Sequence, residues 1–191
     1  MGMIIYCGPS GCGKNAIMAA ALATGNLVPL VTYTTRPMRD GEKDGVDYNF
    51  VSREEFFELE KQGRIFESRV YHTTVNGVED DWYYGSPRLG DVMERNYVGI
   101  LDLDGIRSYI KEYGADVVTP VFIYTDDEIR EARAIRRGSF DKSEWDRRFA
   151  DDAKKFSKEE LIKLSQEIGR PLAVINNNGE KPTFSKIGGG V

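Results

Sequence analysis

Met3-Ile-Ile-Tyr-Cys-Gly-Pro-Ser-Gly-Cys-Gly-Lys-Asn-Ala-Ile-Met-Ala-Ala-Ala-Leu-Ala23 changes character twice along its length. Met3 to Cys7 is a short apolar run of the kind that fills a buried strand, and Ala16 to Ala23 has the composition of a helix. Between them, Gly8-Pro-Ser-Gly-Cys-Gly13-Lys14 places glycines where a tight loop must lead into that helix, and Gly25 stands where the helix should stop. Strand, glycine loop and helix in this order form a phosphate-binding loop: its backbone N–H groups curl around phosphate oxygens at a helix N-terminus. Gly8, Pro9, Ser10, Gly11, Cys12, Gly13, Lys14, Asn15 and Ala16 are therefore expected to cradle ATP, with the Lys14 ammonium on its outer phosphates.

Outward from this loop, the same alternation returns. Strands are expected at Leu27 to Tyr33, Val46 to Phe50, Tyr97 to Leu103, Val117 to Tyr124 and, last, Leu172 to Asn176. Helices are expected at Ile106 to Tyr113 and Glu128 to Arg137, and two Ser-x-x-Glu capping boxes, Ser52 to Glu55 and Ser157 to Glu160, open two more. Strands separated by helices imply an α/β fold, a parallel sheet covered on both faces. Between residues 68 and 84, Asn76-Gly77 interrupts alternating Tyr, Thr, Val and Trp, the signature of a β-hairpin with a type I′ turn.

A chain of 191 residues supports one sizeable core. The longest apolar runs fall far short of the roughly 20 residues that cross a bilayer, so no membrane partner is expected. The N-terminus carries no secretory pattern, and the two cysteines, Cys7 and Cys12, flank a glycine loop rather than closing a long one; both point to a reducing, cytoplasmic setting. A net charge of −5 argues against nucleic acid as a partner. Small anions still bind where basic residues concentrate.

They concentrate in Thr34-Thr-Arg-Pro-Met-Arg-Asp-Gly-Glu-Lys-Asp-Gly-Val-Asp-Tyr-Asn-Phe50. This segment resembles guanylate kinase, whose pattern TTRxxRxGExxGxDYxF it matches at every fixed position, and the likeness runs from the phosphate loop to about Asn176. The resemblance implies a P-loop fold with core segments 1–32, 89–126 and 149–191, an inserted β-rich nucleotide-binding subdomain at 33–88 and a helical lid at 127–148. It implies that Arg36, Arg39 and Tyr48 grip the phosphate of GMP while Glu42 holds the arginines. Guanidinium forks suit a phosphate dianion better than ammonium groups do.

By the same resemblance, Glu67 and Ser86 read the base, with Thr32 and Tyr84 touching the nucleotide. A carboxylate accepts from guanine N1–H and the 2-amino group and repels the N1 lone pair of adenine, so guanine is expected over adenine. Leu101-Asp-Leu-Asp104 resembles the family's LDxD segment. Asp102 there orients Mg²⁺ or its water and Asp104 faces the acceptor nucleoside, although either carboxylate can also cap the next helix. Arg133, Arg137 and Arg148, with Gly138, fall in register with the lid arginines that close on the transferring phosphoryl group; Arg130, Arg136 and Arg147 are their solvated neighbours. Asn176 matches a position that touches the ATP base.

Two departures stand out. The residue after Lys14 is Asn15 rather than the Ser or Thr whose hydroxyl meets Mg²⁺, and an amide oxygen can take that place directly or through water. The 68–84 hairpin is longer than the family's connection, and it holds the sole histidine, His72, beside Asp80 and Asp81. Three functions remain open: phosphorylation of GMP or dGMP by ATP, phosphorylation of another acceptor such as a modified purine monophosphate or a phosphorylated sugar, and a non-catalytic binding module. Monomer and homodimer also remain open.

Overall fold

The computed structural model describes residues 1–75, 78–136, 138 and 140–188. These divide into two compact units, Met1–Val28 with Met93–Val191, and Pro29–Val92.

In the first unit, β1 (Met3–Cys7) runs into α1 (Lys14–Leu22) as the opening stretch requires. β1 is the centre of a sheet that also holds β2 (Val28–Pro29), β7 (Tyr97–Ile100), β8 (Val118–Tyr124), β9 (Leu172–Asn176) and β10 (Thr183–Ile187), in the order β10-β9-β8-β1-β7-β2. β7, β1, β8 and β9 are parallel, and their near-continuous apolar sequences fit burial on both faces. Tyr6, Val98, Val121, Ile123 and Ile175 form the core, and Ile17 and Met18 of α1 pack on it. The sheet is flanked by helices: α3 (Leu103–Tyr113), α4 (Asp127–Arg136), α5 (Lys142–Lys155) and α6 (Lys158–Glu167).

The second unit is a four-stranded sheet, β4-β3-β6-β5, made by β3 (Tyr33–Thr34), β4 (Asn49–Phe50), β5 (Ile65–Val75) and β6 (Val78–Pro87), with α2 (Arg53–Lys61) against it. Phe56 and Leu59 of α2 pack with Ile65 in its core. β5 and β6 form the expected long hairpin, paired from Ile65 with Pro87 to Val75 with Val78. The type I′ turn expected at Asn76-Gly77 lies outside the described residues.

Both capping boxes open helices as read: Ser52 accepts from Glu55 N–H at 3.1 Å and Ser157 from Glu160 N–H at 3.3 Å. Four expectations change. The strand expected over Leu27 to Tyr33 splits into β2 and β3, which enter different sheets; Pro29 has no N–H for a continued ladder. The strand expected over Val46 to Phe50 shrinks to Asn49 and Phe50, after Gly45 turns at φ 72°. β7 ends at Ile100 rather than Leu103, because Asp102 is the N-cap of α3 and accepts from Gly105 N–H at 2.9 Å. Leu172–Asn176 is not the last strand: β10 follows and pairs antiparallel with it. α5, which sequence reading passes over, starts at the N-cap Asp141, whose carboxylate accepts from Glu144 N–H at 2.7 Å.

Candidate active site

The glycine loop adopts the curl that its sequence requires. Gly8, Gly11 and Gly13 hold φ of 145°, 81° and 94°, conformations that side chains with a Cβ resist. A Cβ on Gly13 would stand 2.5 Å from Asn177 Nδ2 and would push that side chain aside. The loop delivers the N-terminus of α1 at Lys14, where unpaired amides and the helix dipole favour an anion. Lys14 Nζ donates to the carbonyls of Gly8 at 2.6 Å and Pro9 at 2.9 Å, so its charge stays beside the loop. Asn15 and Ala16 are exposed on the first turn.

The floor of the loop is pinned from outside. The Cys12 carbonyl accepts from Asn177 Nδ2 at 2.9 Å, Thr125 Oγ1 at 3.1 Å and Arg133 Nη1 at 3.4 Å, and Arg133 Nη2 reaches the Asn177 carbonyl at 2.8 Å. Asn177 is thus the residue that meets the phosphate loop, whereas Asn176 accepts from Asn178 N–H at 3.2 Å. A run of three asparagines gives sequence reading no way to rank them. Cys12 and Cys7 are buried free thiols; burial pushes both up, Cys7 to about 12, against the opposing pull of Lys14.

In the second unit, Thr34 Oγ1 accepts from Arg36 N–H and sets that residue at the end of β3. The Arg36 side chain is 3% exposed. Its guanidinium donates to both oxygens of Glu42, at 2.9 and 2.8 Å, and to the Pro37 carbonyl, and it lies over the rings of Tyr48 and Phe50. Glu42 also accepts from Arg39 N–H at 2.8 Å. The Arg36 hydrogen bonds hold the Glu42 carboxyl below its ordinary value, and burial pushes the Tyr48 phenol up. Arg39 is exposed, so of the two arginines it presents the more open fork.

Tyr84 packs on this cluster, its ring 5.9 Å from that of Tyr48. Glu67 and Ser86 are register partners across β5 and β6, and Ser86 Oγ donates to Glu67 Oε2 at 2.7 Å. The other oxygen, Oε1, accepts from Arg69 Nε at 2.6 Å, a contact that sequence reading misses. The signal was present: residues two apart on a strand share a face. Thr32, whose carbonyl accepts from Asn49 N–H, is half-buried beside β3. On the hairpin, His72 pairs with Asp81 at 2.6 Å while 79% exposed, and Asp80 pairs with Arg53 and accepts from Trp82 Nε1.

The acidic segment after β7 is divided in its work. Asp102 caps α3, and Asp104 is exposed on the first turn beside Arg107 at 3.2 Å. Asn15 and Asp102 offer hard oxygen donors of the kind Mg²⁺ accepts, and that ion takes few protein ligands when phosphates supply others. Among the described residues no group of three or more His, Cys, Asp or Glu is poised to hold a metal by itself. Of the arginines expected in a lid, Arg148 donates to Glu144 Oε1 at 2.6 Å and Arg137 lies outside the described residues. Hydrogen bonds from Arg147 and Arg148 pull the Glu144 carboxyl down to about 2. Arg130 departs from expectation: it is buried at 5% exposure rather than solvated.

Among the described residues, no helix is long and apolar enough to cross a membrane. The sequence model of the family described as guanylate kinase matches residues 1–179. A guanylate kinase of Wolbachia pipientis wMel is 31% identical over 196 residues, covering 97% of this chain and 92% of its own length. Another, from Helicobacter hepaticus, is 34% identical over 145 residues, 73% of this chain and 68% of its own. The crystal structure of guanylate kinase from Anaplasma phagocytophilum superposes with a TM-score of 0.51 at 29% identity, over 71% of this chain and 66% of that one. With a match over nearly its whole length and the glycine loop and Arg36 cluster in place, this chain belongs to the guanylate kinase family.

Proposed function

We propose that the chain transfers the γ-phosphoryl group of ATP to GMP or dGMP, giving ADP and GDP or dGDP. One observation carries the choice of acceptor: Tyr84, whose ring meets that of Tyr48 in a phosphate-suited cluster with Arg36 and Glu42, stands two residues before Ser86 on β6, and Ser86 orients the carboxylate of Glu67. In this reading Arg39, Arg36 and Tyr48 hold the GMP phosphate, and Thr32, Tyr84, Ser86 and Asp104 contact the nucleoside. A carboxylate has about four acceptor sites, so Glu67 keeps capacity for guanine N1–H and the 2-amino group beside its two present donors. A site built on such contacts discriminates by on the order of 10⁴ to 10⁵.

On the donor side the loop amides and Lys14 hold the triphosphate, Asn176 contacts the purine of ATP, and Asn177 braces the loop through the Cys12 carbonyl. Phosphoryl transfer asks the protein for positioning and charge neutralisation rather than covalent chemistry. Lys14, Arg133, Arg137 and Arg148 supply positive charge as it develops on the moving group. Mg²⁺, when bound, neutralises charge between the β- and γ-phosphates, and Asn15 and Asp102 would hold it directly or through water. Closure of the lid excludes water, which would otherwise compete as acceptor.

The Arg69 contact favours a second reading, in which the same chemistry acts on a different purine-like acceptor, because it occupies one oxygen of the carboxylate that reads the base. Purified protein with ATP, Mg²⁺ and a panel of nucleoside monophosphates separates the two as ADP formation is followed. Turnover confined to GMP and dGMP supports the first reading, and turnover with another acceptor alone supports the second. Silence with every acceptor, including phosphorylated sugars, would leave a binding module.

A further inference from the structure

Arg130 and Asp152 form a buried pair that the catalytic scheme does not use. The two side chains are 6% and 14% exposed, on α4 and α5, with Arg130 Nη2 at 3.2 Å from Asp152 Oδ2. Both grip the same residue of the glycine loop: Asp152 Oδ2 accepts from Ser10 N–H at 2.7 Å, and Arg130 Nε donates to the Ser10 carbonyl at 2.8 Å. Arg130 also pairs with Asp127 at 2.6 Å, and its guanidinium lies 5.8 and 5.3 Å from the ring centres of Trp145 and Phe149. The backbone of α4 abuts the next loop residue so closely that a Cβ on Gly11 would stand 2.8 Å from the Arg130 carbonyl.

We infer that Arg130 and Asp152 are positioning residues for ATP: Arg130 holds the Ser10 carbonyl outward so that the next peptide N–H faces the phosphates, and Asp152 holds the Ser10 N–H outward, leaving the Pro9 carbonyl to anchor the Lys14 ammonium beside them. The physical reason lies in the loop's own freedom. Ser10 precedes a glycine at φ 81°, so the peptide between them can rotate at little steric cost. A carbonyl turned into an anion nest would repel phosphate, whereas one held outward by a guanidinium cannot turn in. In the preceding peptide Asp152 holds the Ser10 N–H outward, and the Pro9 carbonyl accepts from Lys14 Nζ at 2.9 Å. Arg133, one turn further along α4, grips the Cys12 carbonyl, so one helix holds the loop at two points. This inference rests on the ATP-binding half of the proposed function and not on the identity of the acceptor.

The pair is surrounded by aromatic rings, and apolar replacement of a buried ion pair is often neutral or stabilising. The test is the double variant Arg130→Leu/Asp152→Leu, with ATP affinity measured by calorimetry, the KM for GMP by turnover and the thermal midpoint by scanning. The expected result is a folded protein with an unshifted midpoint, an ATP dissociation constant raised about tenfold or more, and a KM for GMP unchanged within about twofold. Unaltered ATP affinity would overturn the inference. Should the double variant not fold, Asp152→Asn, which keeps an acceptor for Ser10 N–H, should bind ATP far better than Asp152→Leu; equal affinities would overturn it. A wild-type protein that binds ATP without phosphorylating GMP would refute the acceptor assignment and leave this one standing.

Discussion

Arg36 and Glu42 share a two-pronged ion pair in which the arginine is buried and the carboxylate only one-fifth exposed. The arrangement fixes the direction of the guanidinium with little solvent to screen it, and it makes Glu42 a structural residue. Removing one partner of a buried pair strands the other charge. Glu42→Ala is therefore expected to cost about 2–3 kcal/mol in urea unfolding and to raise the KM for GMP, and its stability loss should exceed that of Arg39→Ala.

The same pair sets a pH dependence. The carboxyl of Glu42 lies below its ordinary value of 4.5, chiefly through the Arg36 hydrogen bonds, so its contribution to stability is complete above that value. It disappears as pH falls through the lowered folded value. Unfolding free energy should fall on acidification below about pH 4.5, and Glu42→Gln should flatten that part of the curve. An identical slope in the variant would place the acid sensitivity elsewhere.

Glu67 is expected to govern base choice without governing ATP. Replacement by alanine should lower the preference for GMP over AMP by on the order of 10³-fold, with ATP affinity retained. Competition between the two monophosphates measures this directly. A preference that survives in Glu67→Ala would transfer base reading to Ser86 or Arg69.

Lys14 makes its hydrogen bonds to the carbonyls of its own loop, so its loss should weaken chemistry more than folding. Lys14→Met is expected to reduce kcat by on the order of 10²- to 10³-fold while the thermal midpoint stays near that of the wild type. A large fall in midpoint with kcat preserved would assign Lys14 to loop stability alone.

Phe56 is fully buried, and a Cβ on Gly85 would lie 2.9 Å from its ring and from Ile65. Phe56→Ala should cost about 3–5 kcal/mol. Gly85→Ala, which adds atoms where none fit, should also destabilise, by about 1–3 kcal/mol. Denaturant unfolding measures both.

Much of the molecule is legible in its sequence because local and tertiary demands coincide there. The β1 strand, the glycine loop and α1 are specified within one stretch, and the Ser52 and Ser157 caps announce their helices. Where distant residues decide, reading fails. β10 forms because Thr183–Ile187 finds the free edge of β9, which nothing in its own polar sequence declares. α5 was within reach, since Asp141 stands three residues before Glu144 in the manner of a cap. Arg130 looks like any lid arginine until the fold places Trp145, Phe149 and Asp152 around it.

The central claim is transfer between nucleotides, and product stoichiometry tests it most directly. When ATP, GMP and Mg²⁺ are incubated with the protein and the products followed by phosphorus NMR, the account predicts GDP and ADP appearing in equal amounts, with free phosphate absent. ADP accompanied by free phosphate and no GDP, or no consumption of ATP, would contradict it.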